Sequence, residues 1–108
     1  MINDRVISMI GLAAKAGKVV SGEFAVEKAV KEGRARLVVI ASDVSENTRK
    51  MFRNMCEYYQ VPLETYAEKE TLGHGIGKMM RASIAVLDQG FADAVRKQMN
   101  IRKEKVGD

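Results

Sequence analysis

The sequence Leu37-Val38-Val39-Ile40-Ala41 is the longest strongly apolar run of the chain, and it decides the fold. Consecutive apolar residues of which most are β-branched are typical of a strand whose two faces are both covered. The run is far too short to cross a bilayer, which takes about 20 residues. We therefore expect a central strand with helices packed on both sides of its sheet.

Two helices and a short extended step are predicted before this strand. Apolar residues at helical spacing indicate a first helix with Asn3 as its N-cap and Gly17 as its stop. A short β-branched step, Val19-Val20, follows this helix. The second helix is expected to begin after Gly22 and to end at Gly33.

Three helices and two strands are predicted after the central strand. Ser45 is the expected N-cap of a helix that reaches Tyr59. The buried stripe of that helix is expected to be Met51, Met55, Cys56 and Tyr59. Strand patterns occupy residues 63–66 and 83–87, and a short glycine-interrupted helix over residues 70–78 is expected between them.

The last predicted helix follows Gly90 and leads into a charged flexible tail that begins at Arg102. The inward residues of this helix are expected to be Phe91, Ala92, Val95 and Met99. The domain then comprises residues 1–101, and the tail comprises residues 102–108. Helices alternating with short strands favour an α/β protein, a three-layer α/β/α sandwich around a small, mostly parallel or mixed sheet.

The composition is that of one globular domain. The chain has 108 residues, of which 46% are hydrophobic and 30% charged, enough for one modest core. The first residues lack the basic flank and apolar stretch of a signal peptide, so we expect a cytoplasmic protein with no membrane partner. A monomer is favoured over an oligomer. With one cysteine, Cys56, no intrachain disulfide is expected, and neither is a metal site or a cofactor.

The basic residues are concentrated towards both ends of the chain. Lys and Arg number 18 against 14 Asp and Glu, a net charge of +4. Residues 1–36 and residues 78–108 each carry seven basic and four acidic side chains, whereas residues 37–77 carry four basic and six acidic ones. The two basic ends could converge on one polyanion-binding face, or they could equally be solvated surface.

Few residues are suited to catalysis. His74 is the only histidine, so any Ser-His or Cys-His nucleophile would depend on it. The only thiol, Cys56, lies on a predicted apolar stripe and is expected to be buried and structural. His74 lies between two glycines at a predicted turn and is expected to be exposed. No acidic pair or metal cluster is recognisable, so the sequence favours a non-catalytic protein.

The glycine-rich run Gly73-His74-Gly75-Ile76-Gly77-Lys78 is similar to a phosphate-binding loop. A Walker loop would need glycine at Leu72 and Ser or Thr at Met79, and a dinucleotide-binding loop would need glycine at Lys78. A nucleotide-using enzyme is therefore the least favoured hypothesis. The glycines could let a short helix pack closely on the sheet, or they could let this loop approach an RNA backbone.

Two other segments have features suited to RNA. The first, Gly17-Lys18-Val19-Val20-Ser21-Gly22, leads into a helix that carries Lys28 and whose first amides favour phosphate. The second, Lys78-Met79-Met80-Arg81, places two cations around two flexible apolar side chains. This loop could hold phosphates and pack its methionines on an unstacked base.

The order of these motifs resembles the kink-turn RNA-binding ribosomal proteins, the L-seven-Ae and L-thirty-e (L7Ae/L30e) superfamily. The length and the Gly90-Phe91-Ala92 ending look closest to its small bacterial YlxQ-type members. The resemblance implies an α/β/α sandwich with a mixed four-stranded sheet, and binding of structured RNA with ribosome association. It covers roughly residues 3–98 and is carried by Gly17-Lys18 to Gly22, Gly33, residues 35–43, Cys56, Val61-Pro62, Leu72-Gly73 to Gly77-Lys78, and residues 83–87.

The resemblance also implies which residues touch RNA. Gly22 and Lys28 match the family's glycine and the lysine six positions on, and Lys18 matches a commonly basic or polar position. Family members read tandem sheared G·A pairs with an asparagine and a glutamate, which are Phe24 and Ala25 here. The predicted RNA-binding residues are Lys18, Ser21, Gly22, Glu23, Phe24, Lys28, Lys78, Met79, Met80 and Arg81.

Two hypotheses about function follow. The first is non-catalytic binding of structured RNA, kink-turn-like or ribosomal, through the helix that starts at Gly22 and the Lys78–Arg81 loop, with ribosome-associated proteins as further partners. The alternative is a protein-interaction module on the same scaffold that has lost its kink-turn site. Phe24 and Ala25 motivate this alternative, because they turn a polar surface into a partly apolar one.

Overall fold

The computed structural model describes residues 4–106, with side chains as far as residue 103. Five helices alternate with four short strands along the chain. The elements are α1 (Arg5–Lys15), β1 (Val19–Ser21), α2 (Glu23–Lys31), β2 (Leu37–Ile40), α3 (Glu46–Tyr59), β3 (Leu63–Thr65), α4 (Lys69–Gly75), β4 (Ser83–Val86) and α5 (Gln89–Val106).

The four strands form one mixed sheet in the order β1-β4-β2-β3. Strand β4 is antiparallel to both of its neighbours, and β2 runs parallel to β3. The central strand β2 is fully buried, as its apolar sequence predicted. Its residue Val39 is paired with Ile84 of β4 on one side and with Glu64 of β3 on the other.

Alternation along β2 divides the core into two layers. Leu37 and Val39 point to the side covered by α1, α4 and α5, and Val38 and Ile40 point to the side covered by α2 and α3. The predicted three-layer α/β/α sandwich with a mixed four-stranded sheet is confirmed. Among residues 4–106, no helix has the length and apolar content needed to cross a membrane.

The N-caps show how short polar side chains set where helices begin. The Asp4 carboxylate accepts a hydrogen bond from the Ile7 amide at 3.0 Å, so the N-cap of α1 is Asp4 and not Asn3 as predicted. Asn3 itself lies outside the described residues. For α3 the prediction is confirmed, because the Ser45 hydroxyl accepts from the Thr48 amide at 3.2 Å.

The buried stripe of α3 differs from the prediction. Phe52 and Cys56, one turn apart, are the residues of α3 that are fully buried against the sheet. Met51 and Met55 lie one position earlier, about 100° around the helix, and are half-buried. Tyr59 was predicted to be buried but is 41% exposed, because it is the last residue of α3 and lines the open groove between α2 and α3.

The last two helices end elsewhere than predicted. Helix α4 stops at Gly75 instead of residue 78, because Gly77 adopts a positive φ of 74° and the Lys78 amide turns back to the Gly73 carbonyl. Helix α5 continues through Val106, so residues 102–106 of the predicted flexible tail are helical. On α5, Ala92, Val95 and Met99 are buried as predicted, and Phe91 is half-buried.

Candidate nucleic-acid interface

Helix α2 begins at a glycine whose backbone is pinned to the sheet. The Gly22 amide donates to the Ser83 carbonyl at 3.0 Å, and the Gly22 carbonyl accepts from the Val26 amide. Its φ of 94° lies in the left-handed region, where a side chain is strained even though a Cβ would meet no neighbour within 4 Å. Glycine has no side chain that could cap the helix. The first-turn amides of α2 therefore receive no side-chain cap from Gly22 and keep their partial positive charge.

The loop between α4 and β4 is held by contacts with α4. The Lys78 amide donates to the Gly73 carbonyl at 2.8 Å, and the Arg81 amide donates to the Lys69 carbonyl at 3.0 Å. A Cβ at Gly73 would lie 1.4 Å from the Met79 carbonyl oxygen, so helix and loop interlock only with glycine at this position. Residues 78–81 are therefore presented on a fixed backbone.

A hydrogen bond between side chains joins the loop to the start of α2. The Arg81 Nε donates to the Ser21 hydroxyl at 3.0 Å, and a terminal guanidinium nitrogen donates to the Met80 carbonyl at 2.9 Å. Strand pairing sets this contact, because Ser21 is opposite Ile84 and the Gly22 amide bonds to Ser83. Ser21, Gly22 and the loop thus share one end of the sheet, where α2 begins.

Large apolar side chains are exposed in both segments. Phe24 is 81% exposed, Met79 is 84% exposed and Met80 is 57% exposed. Phe24 and Lys28, one turn apart on α2, line a shallow groove of about 340 Å³ together with Glu27, Lys31 and Glu32. Glu23 instead lines the neighbouring groove between α2 and α3, which shares Glu27 and Lys31 with the first groove.

The cations of this surface are not neutralised by any described acidic side chain, unlike the neighbouring Lys31. Lys31, also on α2, is held by Glu27 at 2.8 Å. Within residues 4–103, Lys28, Lys78 and Arg81 make no ion pair with an acidic side chain. Their charge is therefore available to a ligand. We call Ser21, Gly22, Phe24, Lys28 and residues 78–81 the α2–loop surface.

Two predicted site residues lie outside this surface: Glu23, which lines the neighbouring groove, and Lys18. The Lys18 carbonyl accepts from the Leu87 amide, at the end of β1 opposite to Gly22. Four residues of extended chain separate Lys18 from Gly22, or roughly 13 Å at 3.3 Å per residue. The basic residue nearest in the sheet is Arg36, whose amide donates to Val86 next to Leu87.

The residues considered for catalysis lie apart. Cys56 is buried between α3 and the sheet, and burial raises the pKa of its thiol to about 11, which opposes formation of a thiolate. His74 is exposed on α4, on the opposite side of the sheet. Among the described residues, no group of three or more His, Cys, Asp or Glu side chains could hold a metal ion.

Sequence analysis did not identify the residues that support the loop. Gly73 admits the Met79–Arg81 backbone, and Gly75 admits α1, because a Cβ there would lie 2.7 Å from a methyl carbon of Ile7. The glycine spacing indicated close packing, but onto the sheet, whereas the partners are the loop and a neighbouring helix. The hydrogen bonds accepted by the Lys69 and Ser83 carbonyls could not be predicted from the sequence, because every residue type has a backbone carbonyl.

Comparison with known proteins agrees with this architecture. A family model described as ribosomal protein L7Ae/L30e/S12e/Gadd45 family matches residues 4–96. RNA-binding protein YlxQ of Bacillus subtilis (strain 168) is 46% identical over 85 residues, which are 79% of this chain and 85% of that protein. Large ribosomal subunit protein eL8 of Picrophilus torridus is 34% identical over 95 residues, 87% of this chain and 75% of that protein.

Solved structures show the same fold. A Bacillus halodurans protein of unknown function has a TM-score of 0.87 at 35% identity and covers 91% of this chain and 99% of its own. A Giardia lamblia 15.5kD RNA binding protein has a TM-score of 0.74 over 93% of this chain and 89% of its own, and at 18% identity it supports the fold alone. Because the family model spans residues 4–96 and a YlxQ protein shares 46% identity, the chain belongs to the ribosomal protein L7Ae/L30e/S12e/Gadd45 family, close to YlxQ.

Proposed function

We propose that this protein binds structured RNA without catalysing a reaction, and that the α2–loop surface is its binding site. The observation that carries the proposal is the Arg81–Ser21 hydrogen bond, which joins two segments 60 residues apart into one surface. The name of the Bacillus subtilis relative, RNA-binding protein YlxQ, supports the same function.

The chemistry of the surface suits a bent RNA backbone. Lys28, Lys78 and Arg81 supply charge that is not neutralised by acidic neighbours, so each can neutralise a phosphate. The first-turn amides of α2, beside Gly22, are donors to a phosphate oxygen. The methionine pair at residues 79 and 80 offers flexible, polarisable contact to a base that is out of its stack.

The proposed target is a kink-turn-like element or a stretch of ribosomal RNA. Relatives named large ribosomal subunit protein eL8 support a place at the ribosome in the cytoplasm. In such a place, ribosome-associated proteins are further partners. An element with a sharp bend presents phosphates from two directions, and the α2–loop surface receives cations from two segments of the chain.

The test is an RNA titration at several salt concentrations. The probe is a short kink-turn RNA, and the wild-type protein is compared with the double variant Lys28→Ala/Lys78→Ala. We expect weaker binding by the variant and a salt-dependence slope that is smaller by up to about two, one for each lost phosphate contact.

Lys31→Ala is the matched control for this experiment. Lys31 lies on the same helix as Lys28, but Glu27 already neutralises it, so affinity and slope should change little. An affinity and a slope that stay unchanged in the double variant would refute the assignment of the site. Binding of no RNA at any salt concentration would refute the proposed function itself.

A protein-interaction module is the second candidate, because Phe24, Met79 and Met80 are each large, apolar and exposed. Purification separates the two candidates. Nucleic acid that co-purifies with the protein and is removed by high salt supports RNA binding. A preparation free of nucleic acid, together with no binding in the titration, supports a protein partner.

A further inference from the structure

We infer that Phe24 stacks on an unpaired nucleobase, and that this contact replaces the reading of G·A base-pair edges. The inference rests on the proposed function, since it names the feature of RNA that the α2–loop surface selects. The exposed position of the Phe24 side chain is not explained by packing within the protein.

The Phe24 side chain lies on the surface and is not part of the core. It is the second residue of α2, 81% exposed, and neither buried layer includes it. Removing a phenyl ring from water is favourable, so a ring left in solvent at a binding surface is available to a ligand. The groove beside it, lined by Phe24 and Lys28, opens on the same face of the helix.

The chemistry of this position determines what part of a nucleotide it can touch. A phenyl ring has no hydrogen-bond donor or acceptor, and neither has the methyl group of Ala25. Neither side chain can therefore recognise the polar edge of a base or base pair. A ring face can stack on a base face, which is accessible only when the base is unpaired and out of its helix.

Among the described side chains, the one cation without an acidic partner in the groove beside Phe24 favours a nucleotide over a protein. Both carboxylates that line the groove are paired, because Glu27 pairs with Lys31 and Glu32 pairs with Arg34. Lys28, one turn along α2, can neutralise the phosphate of a nucleotide whose base lies on the ring. The centres of protein interfaces are depleted of charge, whereas unpaired cations beside an aromatic ring are typical of single-stranded nucleic-acid sites.

The test uses a set of RNA hairpins that differ in one bulge. The first has three unpaired nucleotides flanked by tandem G·A pairs, and the second keeps the bulge but replaces the G·A pairs with G·C pairs. A further series, derived from the second hairpin, has one bulge base removed at a time to leave an abasic sugar. The proteins are wild type, Phe24→Ala and, as the matched control, Leu12→Ala, which removes an exposed apolar side chain of α1.

We expect the wild type to bind the first two hairpins equally, and to lose about tenfold in affinity when one particular base is removed. Phe24→Ala should bind the intact hairpins about tenfold more weakly and should be insensitive to every abasic substitution. Leu12→Ala should behave as the wild type. A 2-aminopurine base at the sensitive position should be quenched by the wild type and not by Phe24→Ala.

Two results would overturn the inference while leaving RNA binding intact. One is salt-sensitive binding to the intact hairpins that is the same for wild type and Phe24→Ala. The other is binding that disappears when the G·A pairs are replaced. If no hairpin bound at any salt concentration, the proposed function would fail as well, so the two failures are distinguishable.

Discussion

At the scale of single residues, glycines at three positions are needed for two different reasons. Gly22 and Gly77 have positive φ angles of 94° and 74°, and a Cβ at either would meet open space. Glycine is needed there because other residues are strained at these backbone angles. Gly73 lies within α4, and its requirement is space, because the Met79 backbone occupies the position of a Cβ. The shape of the loop in the α2–loop surface depends on this missing side chain.

Gly73→Ala is expected to lower the free energy of unfolding by about 3 kcal/mol, because a backbone segment must move to admit the methyl group. The displaced segment includes Met79 and Arg81, so RNA affinity should fall as well. Denaturant unfolding and the RNA titration measure the two effects. Gly90→Ala is the control, since its Cβ would meet only the Asp88 carboxylate at 3.2 Å, and stability there should stay the same or rise. Equal effects of the two substitutions would contradict this account.

At the scale of elements, two ionisable side chains have raised pKa values: Cys56, which is buried, and Tyr66, which is half-buried. Burial raises the pKa of the Cys56 thiol on α3 from 9.0 to about 11. Burial, and then the hydrogen bond that its hydroxyl donates to Asp4 at 2.8 Å, raise the pKa of Tyr66 from 10.0 to about 12. Asp4 also caps α1, so this bond ties the segment after β3 to the first helix.

These two pKa shifts predict loss of stability in alkali. Both groups ionise more readily in the unfolded chain, so their contribution to stability is fully present below about pH 9. It should be lost as pH rises, through Cys56 between 9.0 and about 11 and through Tyr66 between 10.0 and about 12. Denaturant unfolding at each pH gives the curve. Cys56→Ala should flatten its lower part and Tyr66→Phe its upper part, and curves parallel to the wild type would refute the assignment.

At the scale of the whole molecule, the sheet separates two basic regions. The α2–loop surface lies at one end of the strands, whereas Lys18 and Arg36 flank Leu87 at the other end. The net charge of +4 therefore does not converge on one face. An RNA element held at the α2–loop surface meets Lys78 and Arg81 together, and Lys18 only if the element extends along the sheet.

This separation predicts unequal effects of two single substitutions on binding of the short kink-turn RNA. Arg81→Ala removes a charge and the bond to Ser21, and should lower affinity by roughly tenfold. Lys18→Ala should change affinity by less than about twofold, because the residue lies a strand's length away. Titrations at one fixed salt concentration compare the two. A larger effect of Lys18→Ala would place the binding surface at the other end of the sheet.

Local patterns in the chain were enough to predict the sandwich and most of its parts. The run from Leu37 to Ile40 requires cover on both faces because its residues are apolar without interruption, and this makes it a central strand. Ser45 and Gly22 mark helix starts because capping and positive φ each favour a few residue types. Phe24 and the cations of the α2–loop surface were also named as site residues from the motifs of the family, whereas the exposure of Phe24 was found only in the structure.

Features that depend on contacts between residues distant in the chain could be determined only from the tertiary structure. The choice of Phe52 over Met51 and Met55 as the core residue of α3 depends on how the helix is rotated about its axis against the sheet. The pairing of β1 with β4 brings Ser21 to Arg81 and leaves Lys18 at the far end. Periodicity and residue type describe one segment at a time, whereas register and close approach are properties of two segments. Only the folded chain therefore showed that Arg81 joins the two halves of the α2–loop surface and that Lys18 lies outside it.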